Sequence, residues 1–256
     1  MKKVLVSSVL FVLFFCLMSP LAFGQVFGNL HRIAFPQVVY GGGWVTTILA
    51  TNISESGAQV TYGFGAQDGS NLYVPIIRRS GELELISVYN PGEIPPKGSW
   101  INVLQSAEPT VTIGSMNAIV SIVDGKDTVK VQVTYSYQPN GVVEGQAAVF
   151  PVEPSRNFGF QAIRVNQNSD IGVAIRHFND VPANVRLLVH NMAGQIVASV
   201  NISVPPHGHV AKFITELAPE LKANWNGGLI EVNSDQLISV MSIPMSGSTF
   251  SAGITF

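Results

Sequence analysis

The chain has 256 residues, and its 14 Lys and Arg against 16 Asp and Glu give a formal charge of −2. That balance excludes a generic nucleic-acid binder, which needs a basic footprint. With 46% hydrophobic residues, only 12% charged and one Cys, the composition also excludes a disordered chain, a disulfide framework and a thiolate zinc site.

The first 24 residues read as a signal peptide. Lys2 and Lys3 form a positive start, Val4 to Met18 is almost wholly apolar, and Ala22-Phe23-Gly24 supplies the small-residue cleavage pattern. An apolar run of about 15 residues is short for a spanning helix, which needs about 20. Cys16 follows Phe14 and Phe15, whereas a lipobox has a small residue there, so Cys16 belongs to the apolar run. Cleavage after Gly24 would leave 232 residues, remove Lys2, Lys3 and the sole Cys, and move the formal charge to −4. An exported chain without Cys has to hold itself together by core burial. No other run reaches spanning length, so no integral membrane span is expected after cleavage. The expected location is extracellular or cell-surface, with the periplasm as the alternative.

The rest of the chain reads as two copies of one β module, spanning 25–152 and 153–256. At an offset of 125, Phe35, Val38, Ile48, Ala50, Ala58, Val60 and Gly69 align with Phe160, Ile163, Val173, Ile175, Ala183, Val185 and Gly194. At an offset of 110, Pro95-Pro96-x-Gly98 aligns with Pro205-Pro206-x-Gly208, and Pro109 with Pro219. The change of offset places an insertion in the first copy, within residues 70–93.

The hydrophobic period is two. Residues 45–51, 59–64, 129–135 and 184–189 alternate as half-buried strands do. Asp68-Gly69 and Ala193-Gly194 occupy turn positions between strands, and 52–57 and 178–182 read as polar loops. The Pro-Pro pairs cannot continue a central ladder, so they mark entry into new strands at 100–104 and 210–214. One helical turn is expected near 215–222, limited by Pro219. Pro151 and Pro154 make the link between copies short and stiff.

Ile94-Pro-Pro-Lys-Gly-Ser99 and Val204-Pro-Pro-His-Gly-His209 resemble a turn step of small immunoglobulin-like modules in secreted bacterial proteins. The opening Phe35-Pro-Gln-Val38, followed by Gly41-Gly-Gly-Trp44 and Thr46, is similar to the start of a group of largely uncharacterised modules of that kind. The resemblance implies an all-β fold with two tandem immunoglobulin-like β-sandwich domains. It further implies a role in adhesion, ligand display or envelope organisation, and it brings no catalytic residues.

Candidate chemistry is sparse. His207 and His209 are close in sequence, yet they follow a Pro-Pro turn and align with Lys97 and Ser99, so they read as a solvated turn rather than a metal site. Asp124-Gly125-Lys126-Asp127 reads as a charged hairpin tip, since calcium needs six to eight oxygens and a Lys stands between the carboxylates. No G-x-S-x-G elbow, phosphate loop or dinucleotide fingerprint is present, so neither an enzyme nor a cofactor is expected. Glu82 and Glu84 read as charges on a solvated edge strand.

The remaining ligand-binding candidates are Trp44 and Trp225, bordered by Gly and Asn, and Arg78 and Arg79 in the insertion. The two tryptophans suit either stacking on a sugar ring or capping the sandwich core. The insertion suits either an edge that accepts a partner's strand or a hairpin that covers its own core. The expected function is therefore a secreted, non-catalytic module that binds a protein or glycan at the cell envelope. The alternative is a periplasmic assembly chaperone or subunit working by strand addition. An outer-membrane barrel fits poorly, because Pro-Pro breaks and scarce Trp and Tyr do not make aromatic girdles.

Overall fold

Alternating apolar residues form antiparallel strands throughout the protein. The computed structural model describes residues 30–78, 80–123, 126–164, 168–247 and 249–250. The segment expected to be a signal peptide, Arg79, and Asp124-Gly125 lie outside the described residues. In the first half, β1 (Leu30–Tyr40), β2 (Trp44–Asn52) and β3 (Val60–Gly65) precede the insertion. The insertion forms β4 (Val74–Ile77), β5 (Leu83–Ile86) and β6 (Val88–Tyr89). Then come β7 (Ser99–Gln105), β8 (Thr112–Val123), β9 (Lys126–Asp127), β10 (Val129–Tyr137) and β11 (Gly145–Val149). These make two sheets, β1-β8-β3-β6, with β9 on β8, and β11-β10-β2-β7-β4-β5.

The second half comprises β12 (Ser155–Ile163), β13 (Ser169–His177), β14 (Ala183–His190), β15 (Ile196–Val204) and β16 (His209–Phe213). Two helical turns follow, α1 (Ile214–Leu217) and α2 (Leu221–Asn224), with Pro219 between them. They precede β17 (Gly227–Ser246) and β18 (Thr249–Phe250). The long β17 changes partners along its length. Its first part pairs with β12 and β14, and from Ile238 onward it pairs with β13.

The same local bonds recur at the two sequence offsets. Gly98 N–H donates to the Pro95 carbonyl at 2.9 Å, and Gly208 N–H to the Pro205 carbonyl at 2.9 Å. Asn52 N–H donates to the Gly98 carbonyl at 2.9 Å, and His177 N–H to the Gly208 carbonyl at 3.0 Å. Lys97 and His207 both take a left-handed backbone, with φ of 57° and 53°. Ala58 pairs with Ile94 as Ala183 pairs with Val204.

Two facing antiparallel sheets match the expected sandwich, but the outer strands depart from the immunoglobulin arrangement. In that arrangement the first strand shares a sheet with the second, and the sixth with the last. Here β1 pairs with β8 while β10 crosses to pair with β2. The second half repeats the exchange, with β12 on the first part of β17 and the later part of β17 on β13.

Each half encloses a core, and the first core reaches into the second half. It holds Phe35, Ile48, Tyr62, Ile76, Met116 and Tyr135 together with Ala174, Met241, Ile243 and Phe250. The second core holds Phe160, Ile175, Leu187, Ile214, Ile230 and Val240. Alternate residues of β13 and of late β17 therefore face different cores, and both faces of these strands are buried. Tyr135 Oη donates to the Gln37 carbonyl at 2.6 Å and touches Met241 Sδ at 3.8 Å. The connector is tied down by Val152 N–H to the Ala34 carbonyl at 3.3 Å and by Ser239 Oγ to the Val152 carbonyl at 3.1 Å. The placement of the halves thus rests on packing and on these bonds.

Candidate interaction surfaces

The six-stranded sheet is apolar on both faces over part of its width. Ile48, Ile76 and Leu104 point inward and are fully buried. On the outer face, Leu83 pairs with Ile77, and Ile77 with Val103 across β7. Leu85 pairs with Pro75, and Ile101 with Leu49. Leu83, Leu85 and Ile101 are 59%, 67% and 63% exposed. An antiparallel sheet with one wet face ordinarily alternates apolar inside with polar outside. Of the two roles expected of the insertion, the structure shows the cover of its own core. It extends a sheet, and it also supplies Val74, Ile76 and Tyr89 to the core.

Arg78 stands at the rim of the opposite face, the side of Ile76 and Tyr89, ion-paired through Nε and Nη2 with Glu84. That hydrogen bond raises its pKa above the ordinary guanidinium value. Its guanidinium also lies 6.0 Å from the Tyr89 ring centre. Arg79 lies outside the described residues.

The tryptophans occupy different environments. Trp44 is half-buried and packs on Tyr137 at 5.1 Å and on Phe250 at 5.0 Å between ring centres. It lines an open cleft of about 520 Å³ with Gly42, Gln105, Glu108 and Pro139. Trp225 is only 3% exposed and donates from Nε1 to the His190 carbonyl at 3.0 Å. A ring enclosed in the second core has no free face for a sugar, so Trp225 caps the core beneath the 191–194 turn.

A buried polar cluster between the halves escaped the sequence reading. Arg176 and His209 are cross-strand partners on β13 and β16, and both are buried. Arg176 Nη1 donates to Ser115 Oγ at 2.6 Å, and Ser115 Oγ donates to the Gly65 carbonyl at 3.3 Å. The guanidinium also lies 5.9 Å from the Phe178 ring centre. Burial, with a smaller contribution from the Arg32 charge, lowers the Arg176 pKa to about 10. Burial pushes His209 down to about 4, opposed by the Ala66 carbonyl. Simple alternation hid this cluster, because Gly172, Ala174 and Arg176 share what reads as a solvent face. The run from Ile238 to Ile243, with small or apolar residues on both faces, was the signal that the sheet is covered twice.

His207 and His209 do not converge. His207 is partly exposed with Nε2 2.7 Å from Asp180 Oδ1, whereas His209 is buried toward the 66–70 turn. Asp127 bonds His31 Nδ1 at 2.8 Å and Lys130 Nζ at 3.4 Å. Among the described residues, no three His, Cys, Asp or Glu are grouped to hold a metal, and no helix is long and apolar enough to cross a membrane.

No protein-family model matches the chain, and no curated protein does. Among solved structures, procruciferin, an 11S globulin from Brassica napus, aligns over 89% of this chain and 78% of its own. The identity is 5% and the TM-score 0.20, a superposition that assigns neither fold family nor function.

Proposed function

We propose that this protein is an exported, non-catalytic binding and structural module of the cell surface or envelope, built from two tandem β-sandwich copies. The outer face of its six-stranded sheet docks a protein partner. The observation that carries this reading is the row of exposed apolar side chains at Leu83, Leu85 and Ile101, continued by Ile77, Val103 and Leu49. Contiguous apolar exposure of this kind marks interaction sites on soluble proteins. Each large side chain removed from water there contributes about 2 kcal/mol. The low charge content fits a surface whose contacts are made by shape and apolar burial. The recurrent Pro-Pro-x-Gly turns and their shared hydrogen bonds support the duplication.

The test is fractionation of native cells carrying the wild type or an L85E/I101E variant, with protease shaving of intact cells. Both positions are solvent-exposed, so the variant is expected to melt like the wild type. Wild-type chain held at the envelope and accessible to protease, with the variant released, is the expected result. A variant retained as well as the wild type overturns the docking face. A wild-type chain wholly soluble and shielded from protease overturns the surface role.

A further inference from the structure

We propose that β15 is a self-association edge. Two copies of the chain pair their β15 strands antiparallel about Val200 and continue the second-half sheet across a two-fold axis. β15 closes one side of that sheet and is paired along its length on β14 alone, from Ala183↔Val204 to His190↔Ile196. Its other side is a row of backbone groups with no strand beside it among the described residues.

Sheet edges are ordinarily guarded by charge, brevity or cover. The other described edges follow that rule. β5 carries Glu84 with its Arg78 ion pair, β12 carries Arg156, β16 carries Lys212, and β11 is five residues long. β15 reads Ile-Val-Ala-Ser-Val-Asn-Ile-Ser-Val, without a charge, a proline or a glycine, and its one bulge, at Val197, leaves the seven residues from Ala198 to Val204 regular.

The composition of this edge selects a second copy. Beyond a bulge at Val197, one face bears Ala198, Val200, Ile202 and Val204, while Ser199, Asn201 and Ser203 lie on the other. Turning the strand over about Val200 sets Ala198 against Ile202 and Ser199 against Asn201. From Ala198 to Ile202, apolar residues meet apolar ones and polar residues meet polar ones. Val200 and Ile202 pack on the second core but remain partly exposed. A second copy extends that core past the edge on the same side of the sheet. Such a pairing is isologous and closes at two subunits. Any single charge on the strand would face its own copy or a neighbour of it, and the strand has none.

The test is sedimentation velocity on the natively processed chain over a wide concentration series. The wild type is expected to show a monomer–dimer equilibrium. An S199K/N201K double variant, altered only at exposed positions, sets lysines opposite each other twice per dimer. It loses the 3.3 Å bond from Arg186 Nε to Ser199 Oγ, an exposed contact that contributes little to stability, and is expected to stay folded and raise the dimer Kd at least about tenfold. Mixing it with an S199D/N201D chain is expected to restore a dimer containing one of each. A wild type that stays monomeric overturns the proposal, as does a dimer indifferent to the lysines or a mixture that fails to pair.

Discussion

His209 is fully enclosed beside a buried guanidinium, and its protonation is therefore coupled to folding. Burial lowers its pKa from 6.5 to about 4, the Arg176 charge adds to that shift, and the Ala66 carbonyl opposes it. Between these two values the unfolded chain binds the proton and the folded chain does not. Stability is therefore full above the unfolded value and declines as pH falls toward the folded one. The whole window is worth about 3 kcal/mol. His177, also lowered chiefly by burial, adds in the same direction. Urea unfolding at pH 7 and near pH 4 is expected to show this loss. A His209→Asn variant is expected to show a smaller loss, since Asn does not titrate. Equal slopes for the two chains would place the acid sensitivity elsewhere.

Turns that match in sequence differ in what they touch. Gly69 and Gly194 align, and both take positive φ, 90° and 77°. A Cβ at Gly194 meets nothing within 4 Å, whereas one at Gly69 overlaps the Pro206 carbonyl oxygen. The 66–70 turn is pressed onto the second-half Pro-Pro turn, and His209 N–H donates to the Gln67 carbonyl at 3.1 Å. Gly194→Ala is expected to cost about 1 kcal/mol through backbone strain alone. Gly69→Ala is expected to cost about 2 kcal/mol more, because the neighbouring backbone has to move. Chemical denaturation of both variants checks this, and equal losses would mean that the docked turn yields freely.

At the scale of the whole molecule the halves are packed together, with β13 and late β17 lying against β1. Met241, Ile243 and Phe250 join the first core, so neither half can unfold without exposing apolar surface of the other. The expected calorimetric trace is a single transition whose calorimetric and van't Hoff enthalpies agree. Two resolved transitions would show that the contact between halves is too weak to couple them.

Periodicity, turn residues and the Pro-Pro motifs were enough to reveal an all-β chain, the two Pro-Pro turns and a strand expected at 100–104 that runs from Ser99 to Gln105. These features depend on neighbours within a few residues, where backbone sterics and alternation act directly. Helical structure near Pro219 was legible for the same reason. The exchange of β1 and β10 between sheets was not legible, because strand order depends on contacts far apart in the chain. The burial of Trp225 was hidden too, since a Trp between Asn and Gly reads the same whether a core or solvent lies beyond it. Likewise, alternation identifies two faces of β13 but not what covers the second. That cover came from the other half of the chain, and it turned Arg176 and His209 from surface polar groups into buried ones. The sequence by itself determined the local elements of this protein. Tertiary packing decided which surfaces remain open, the outer face of the six-stranded sheet and the edge at β15, because exposure is a property of everything else in the fold.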